Sequence, residues 1–272
     1  MFLSIITPVY NGESTILRSL ESVSKLNLNN IEHLIIDGES NDNTLTIVRQ
    51  FILDNPKVKL FSSKDLGVYD AMNKGIDLAN GKWLYFLGAD DEFILNEVLN
   101  VLKLHDSYEL VYGNVRKVQC GKFVNTYGGE FDLQKIANHN ICHQSIFYKR
   151  ELFKRFGFYD LSYKIYADYK FNLTCFFSLK EDQIKFINKN VANYNVDGLS
   201  SKLEMNELIQ IWRELQKNYN SILNKDAKKY IFSHLVQFYS IISKNDFTSS
   251  KYVSFLKSFI LTIHFKIKLR LL

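Results

Sequence analysis

The stretch EHLIIDGESNDNTLTIVRQFI, residues 32–52, holds two periods in succession. Its first part, EHLIIDG, is a short apolar run closed by an aspartate and a glycine, the pattern of a buried strand leaving a sheet. In its last part Leu45, Val48, Phe51 and Ile52 recur at the three- and four-residue spacing of one helix face. A strand, a polar turn and a helix make half of a βαβ unit, and the same alternation continues on both sides.

Upstream, SIITPVY is a second β-rich run, and STILRSLESVSKL sets Ile16, Leu17, Leu20 and Val23 at helical spacing. Downstream come a strand in VKLFSS, a short helix in YDAMNKGIDLA and a strand in KWLYFL. Strands alternating with helices of this length imply a parallel sheet with right-handed crossovers, an α/β nucleotide-binding half over residues 1–105. Past residue 105 the alternation stops. ELVYGNVRKV and KFVNTYGG form an antiparallel hairpin around Gly121, HQSIFY reads as a strand, and YADYKFNLTCFFSL carries a helical stripe. Residues 106–202 therefore form a mixed second half. Residues 203–272 are a mainly helical C-terminal extension, with Leu208, Ile211, Trp212 and Leu215 on one face.

At 272 residues, 46% hydrophobic and 23% charged, the chain has the composition of a globular protein able to build a full core without disulfides. Its three cysteines are widely spaced with no CxxC, which argues against a disulfide framework or zinc site and fits a reducing cytoplasm. MFLSIITPVY lacks a basic leader and is broken by Pro8, so it reads as a strand rather than a secretion signal. No apolar run is long enough to span a bilayer. The formal charge of +5 is diffuse except in residues 251–272, which carry five basic residues and no acid. That tail fits a basic amphipathic segment on the inner face of a membrane and equally a packed helix with solvated lysines. The basic residues form no stripe interleaved with aromatics, so nucleic acid is not an expected partner.

In an open parallel sheet, ligands bind beyond the carboxyl ends of the strands. Here the four ends are TPVYNGE, DGESNDNT, SSKDLGVYDAMNKG and GADDEF, all rich in polar side chains. Some of these serve turns and caps: Pro8, Asn11 and Gly12 suit a turn, and Ser40, Asn41 and Asp42 suit a helix start. Asp37, directly after Leu34, Ile35 and Ile36, is placed to accept from a nucleobase N–H. Asp90 and Asp91 end an apolar run where a core has no use for them, as a cation site would.

In these pieces the chain resembles glycosyltransferase family 2, with its GT-A fold. IITPVYN, LIIDGESNDNT, DLGVYDAMNKGIDLANGKW, LGADD, CHQSIFY and YADYKF occur in the family's order over roughly residues 3–200. The resemblance implies an inverting transfer of sugar from a nucleotide-diphosphate donor, by preference a UDP-sugar, to a hydroxyl of a glycan or lipid-linked acceptor. It places Thr7, Pro8, Tyr10, Asn11 and Glu13 against the nucleotide and gives Asp37 the base. Asp65, Asp70 and Asn73 would lie along the donor pocket. GADD stands where the family has its Asp-x-Asp metal motif. Asp90 is then the ligand for Mn2+ or Mg2+, with Asp91 a helix cap or an outer group. Asp168 corresponds to the general base, with Asp160 as the alternative. His143 follows Cys142 in a place where a structural hydrogen bond is the more ordinary role, and Gly198, Ser200 and Lys202 fall where a loop would close over the phosphates.

One residue departs from that pattern. The first aspartate of the metal motif is replaced by Gly88. In a strand, positions i and i+1 face opposite ways, so Asp91 could replace the missing carboxylate only if the chain has already turned. A small cation needs only one or two carboxylates when phosphate oxygens and water complete its shell. Gly88 also keeps open a non-catalytic nucleotide-binding or assembly subunit, and a metal-dependent nucleotidyltransferase would share the same groups. A dinucleotide oxidoreductase is excluded, because no Gly-x-Gly-x-x-Gly turn follows the first strand.

Overall fold

The computed structural model describes residues 1–26, 28–103 and 107–196, with positions 207, 208, 210, 211, 213, 214 and 217 beyond them. The apolar runs of the first half become β1 (Leu3–Val9), β2 (Ile31–Asp37), β3 (Val58–Ser62) and β4 (Trp83–Phe86). Between them cross α1 (Ile16–Ser24), α2 (Thr44–Asp54) and α3 (Val68–Leu78). β1 pairs in parallel with β2 and β4, and β2 with β3. Every residue of β1 and β2 is buried, as expected of parallel strands covered on both faces. On α1 the buried stripe is Ile16, Leu20 and Val23, while Leu17 lies 45% exposed.

After β4 come β5 (Glu92–Phe93) and α4 (Val98–Lys103), and the second half adds β6 (Leu110–Gln119), β7 (Lys122–Tyr127), α5 (Leu133–Ile136) and β8 (Ile146–Lys149). It is completed by α6 (Arg150–Phe156), α7 (Ala167–Ser178) and β9 (Ile184–Asn195). The strand order is β3-β2-β1-β4-β8-β6-β9-β5, with β7 paired to β6. β8 runs antiparallel to both β4 and β6, and β9 parallel to β6, so one α/β sheet continues through both halves. HQSIFY is only partly a strand. His143–Ser145 is a 3-10 turn closed by the Ser145 N–H on the Cys142 carbonyl at 2.9 Å, and the strand starts at Ile146.

The core is likewise continuous. Ile6, Leu34 and Phe86 pack in one buried cluster with Tyr148, Phe153 and Phe171. The rings of Phe153 and Phe171 stack with centroids 4.3 Å apart. Trp83, Tyr85, Phe147 and Val191 fill the opposite face of the sheet. Each fully buried side chain of this size contributes about 1.5–3 kcal/mol. Beyond residue 203, Ile211 joins the first cluster at 1% exposure. Trp212, Leu215, residues 197–206 and the basic segment 251–272 lie outside the described residues. No helix among the described residues is long and apolar enough to cross a membrane.

Candidate active site

A cleft of about 830 Å3 opens at the carboxyl ends of β1 and β4. Pro8 at the end of β1 and Tyr10 and Asn11 after it line the cleft, with Asp65 in the β3–α3 loop and Asp90 after β4. The second half contributes His143, Lys164 and Asn195. The site is therefore shared between the parallel half and the strands that extend it.

The loops after β1 and β2 are laced together. The Asn11 N–H donates to Ser40 Oγ at 2.8 Å, and Asn11 Oδ1 accepts from the Asn41 N–H at 2.9 Å. Glu13 accepts from the Asn43 N–H at 2.9 Å and stands beside this lacing rather than on the cleft wall. Tyr10 is left 62% exposed at the rim, a platform of the kind on which a nucleobase stacks. Thr7 and Asp37 are fully buried and do not reach the cleft surface. Thr7 Oγ1 lies 2.9 Å from His33 Nε2, and burial pushes the His33 imidazole down to about 3, so it is neutral. Asp37 is occupied by its own loop: it accepts from the N–H groups of Glu39 at 3.0 Å and Ser40 at 3.1 Å and from Ser62 Oγ at 2.6 Å. It holds the turn in shape and shows no free oxygen to a base.

Of Asp65, Asp70 and Asn73, only Asp65 faces the cleft. One of its oxygens accepts from the Gly67 N–H at 3.0 Å. The other lies against Gly38, where a Cβ would come within 2.4 Å of it. Asp70 accepts from the Leu66 N–H at 3.0 Å and pairs with Lys74 at 3.5 Å, fixing the start of α3. Asn73 clamps the backbone of Tyr159 in both directions, donating at 2.9 Å and accepting at 3.0 Å.

After β4 the chain turns at once, with the Asp91 N–H donating to the Gly88 carbonyl at 3.1 Å. Asp90 lines the cleft, and burial raises its carboxyl above the usual range. Asp91 is neither a helix cap nor a cleft residue. It is 1% exposed and accepts from Gln144 Nε2 at 2.7 Å and the Asn195 N–H at 2.8 Å, which ties the 3-10 turn and the end of β9 to the GADD turn. Burial, and then the charge of Asp90, push Asp91 up to about 7. A Cβ at position 88 would meet Asp91 Oδ2 at 2.4 Å and Asp90 Oδ1 at 3.0 Å. Both carboxyl groups fold back over Gly88, and this accounts for its identity. No cluster of three metal-ligating side chains exists among the described residues. One cleft-facing carboxylate in a desolvated, acid-rich turn suits a cation that takes most of its ligands from a bound diphosphate, not a cage built by the protein.

Bonded to the cleft-lining His143, Asp168 occupies the first turn of α7 and is 5% exposed. Its Oδ1 is 2.9 Å from the Tyr69 hydroxyl and accepts from the Tyr169 N–H at 2.8 Å. Its Oδ2 has Asn140 Nδ2 and His143 Nδ1, each at 3.1 Å. Asp160 is instead committed to Lys170 at 2.7 Å. Residue types alone revealed neither the His143–Asp168 pair nor the roles of Tyr69, Gln144 and Asn195. The signal within reach was the adjacency of His143 and Gln144, two polar side chains just ahead of an apolar strand.

Residues 4–166 match the family described as Glycosyl transferase family 2. Over 214 residues the chain is 38% identical to the "PGL/p-HBAD biosynthesis glycosyltransferase" of Mycobacterium tuberculosis H37Ra, covering 76% of this chain and 82% of that protein. It is 35% identical over 129 residues to the Escherichia coli "UDP-Glc:alpha-D-GlcNAc-diphosphoundecaprenol beta-1,3-glucosyltransferase WfgD", covering 45% of this chain and 50% of that one. The fold matches Staphylococcus aureus TarS 1–349 in complex with UDP-GlcNAc, with a TM-score of 0.68 at 18% identity over 91% of this chain and 75% of TarS. It also matches the mannosyltransferase PcManGT of Pyrobaculum calidifontis in complex with GDP-Man and Mn2+, with a TM-score of 0.57 at 14% identity over 97% and 86% of the two chains.

Proposed function

The chain belongs to glycosyltransferase family 2, and on that premise we propose that it moves a sugar from a UDP-sugar to a hydroxyl of a lipid-linked glycan, with inversion at the anomeric carbon. The observation that carries this reading is that one cleft is lined by Asp90 and by His143, the latter bonded to the buried Asp168. An in-line displacement needs an acid-rich, phosphate-facing side and a base-bearing side, with room for the sugar between them.

Each wall has its task. Tyr10 offers an aromatic face to the base, while Pro8 and the laced Asn11 loop hold its edge. Asp65 presents a carboxylate oxygen at the same rim, and Glu13, Asp70, Asn73 and the buried Thr7 and Asp37 keep these loops in shape. Asp90 would hold a Mg2+ or Mn2+ ion, which when bound neutralises the charge developing on the departing diphosphate. Asp168 supplies the negative charge that lets a proton leave the acceptor hydroxyl.

UDP is favoured by two relatives: TarS was solved with UDP-GlcNAc, and WfgD is named for a UDP-Glc donor and a diphosphoundecaprenol acceptor. A lipid-linked acceptor puts the reaction at the inner face of a membrane, in surface-glycan synthesis, where the basic segment 251–272 would make peripheral contact. On this reading residues 1–202 form the transferase domain and 203–272 an appended element.

The test is release of nucleoside diphosphate from UDP-glucose, UDP-N-acetylglucosamine and GDP-mannose by the full chain and by Asp168→Asn. Turnover with one donor, reduced at least about a hundredfold in the variant while UDP or GDP still binds, is the expected result. Nucleotide binding without turnover by the wild-type chain would favour a binding or assembly subunit instead.

A further inference from the structure

The hairpin of β6 and β7 leaves the sheet without a core of its own. Lys122, Phe123, Val124, Asn125 and Thr126 of β7 are exposed one after another, although successive side chains of a strand point to opposite faces. Both faces of β7 therefore meet solvent, and among the described residues it pairs with β6 alone. Phe123 is 54% and Val124 51% exposed. Lys117 pairs with Asn125 and Val118 with Phe123, so Val124 is the extra residue of a bulge, a device that re-aims a side chain. The two-residue turn between the strands has positive φ at both positions, 47° at Cys120 and 75° at Gly121, the form that holds a tight hairpin. Two adjacent apolar side chains are thus held out in water by a fixed turn.

Charge and position say what such a tip would meet. From Leu110 to Gly129 the chain has three basic residues, Arg116, Lys117 and Lys122, and no acid. Arg116 lies over the Phe123 ring at 5.1 Å and Lys117 over the Tyr127 ring at 4.6 Å. Basic side chains running along apolar surface, with exposed apolar groups beside them, suit the headgroup layer of an anionic bilayer. The tip also stands at the mouth of the cleft. β9 places Tyr194 level with Lys117 and Asn195 level with Val118, and both Tyr194 and Asn195 line the cleft. One strand spacing, about 4.8 Å, separates the two rows. At the root of the hairpin the Tyr127 hydroxyl donates to the Asn140 carbonyl, and Asn140 Nδ2 donates to Asp168 Oδ2 at 3.1 Å. The ribbon is braced to the residues around Asp168 and does not hang from the sheet alone.

We propose that the β6–β7 hairpin is a membrane foot, whose tip enters the interface of an anionic phospholipid bilayer through Phe123 and Val124, with Arg116, Lys117 and Lys122 among the phosphates. Its purpose rests on the reading of a lipid-linked acceptor and deepens it, because the foot turns the mouth of the cleft toward the surface in which that acceptor is anchored. The occupant is a lipid surface and not a second copy of this chain, since a copy would bring the same uncompensated positive charge to the contact.

Cys120 is exposed at the turn, whereas Cys175 is buried and Cys142 half-buried, so an environment-sensitive fluorophore on Cys120 reports the surroundings of the tip in the full chain. Cys120→Ser, treated in the same way, gives the background. Vesicles of equal parts phosphatidylcholine and phosphatidylglycerol are expected to blue-shift the probe and to pellet the chain, and vesicles of phosphatidylcholine alone to do so far less. Phe123→Ser should weaken vesicle binding about tenfold and Lys122→Glu at least about fivefold. Neither side chain lines the cleft, so both variants should hydrolyse the donor in water, without vesicles, at the wild-type rate. A chain that pellets with vesicles while the probe stays unshifted overturns the inference, because another surface, such as segment 251–272, would then hold it. Wild-type binding by both variants overturns it as well. So does a probe shift that grows with protein concentration in the absence of vesicles, which would mark the tip as a contact between copies. Insertion of the tip by a chain that turns over no donor leaves the foot standing and removes the transferase reading, while donor turnover with a silent tip does the reverse.

Discussion

Residue 88 shows how a motif can change without its site being lost. An aspartate there would have to enter space held by Asp91 Oδ2, 2.4 Å from the position of its Cβ, and that oxygen is fixed by Gln144. Gly88→Asp, which restores the family's motif on paper, is therefore expected to destabilise the fold by about 1–3 kcal/mol through overpacking. It should not tighten metal-dependent nucleotide binding. Urea unfolding and nucleotide titration check both parts, and a variant of wild-type stability with tighter binding would show that Asp91 yields the space freely. The same scale shows where sequence reading stops. That Asp37, Asp65, Asp70 and Asp90 cluster at strand ends is plain from the order of residues. Which of them remain open to a ligand depends on which backbone N–H groups turn back onto each carboxylate, and Asp37 is consumed by Glu39, Ser40 and Ser62. His143 was legible only as a residue type, because its partner lies 25 positions away.

At the scale of elements, the parallel half was legible because its strands and helices switch between periods of 2 and 3.6 within a few residues. β9 was not. In IKFINKNVANYN the alternation is diluted by asparagine and lysine, and only Val191 and Ala192 are fully buried. Its parallel partner β6 is about 75 residues earlier, with two register shifts between them, so nothing local marks the pairing. The N-terminal approach to α7 hides a similar long-range device. Glu207, 9% exposed, accepts from the N–H groups of Lys164 at 2.5 Å and of Ile165 and Tyr166 at 3.0 Å each. No side chain caps α7 from its own N-cap, Tyr166, so Glu207, 41 residues further along the chain, holds the turn that leads into Asp168. Glu207→Gln replaces one accepting oxygen with a donor and leaves at least one of these N–H groups unmatched. A loss of about 1–3 kcal/mol is expected in denaturant unfolding, together with slower donor turnover. An unchanged unfolding midpoint would contradict that role for Glu207.

At the scale of the whole molecule, one sheet and one core run through both halves, so the cleft is built from segments more than a hundred residues apart in sequence. Phe86 of β4 packs edge-on against Tyr148 and Phe153 at centroid distances of 6.1 and 5.9 Å, which seats β8 and α6 against the parallel half. Asp90 and the His143–Asp168 pair are thus held by a common core. The most direct test of this account is thermal unfolding of the full chain with UDP, GDP or dTDP, each with and without Mn2+, in the wild type and in Asp90→Ala. A nucleotide at about 100 times its dissociation constant stabilises by about 2.7 kcal/mol, or several degrees in a chain of this size. A Mn2+-dependent rise with one nucleotide, lost in Asp90→Ala, is the result the account expects, and UDP is the nucleotide expected to give it. No shift with any of the three, or an equal shift in Asp90→Ala, would contradict the assignment of Asp90 to the diphosphate side of the cleft.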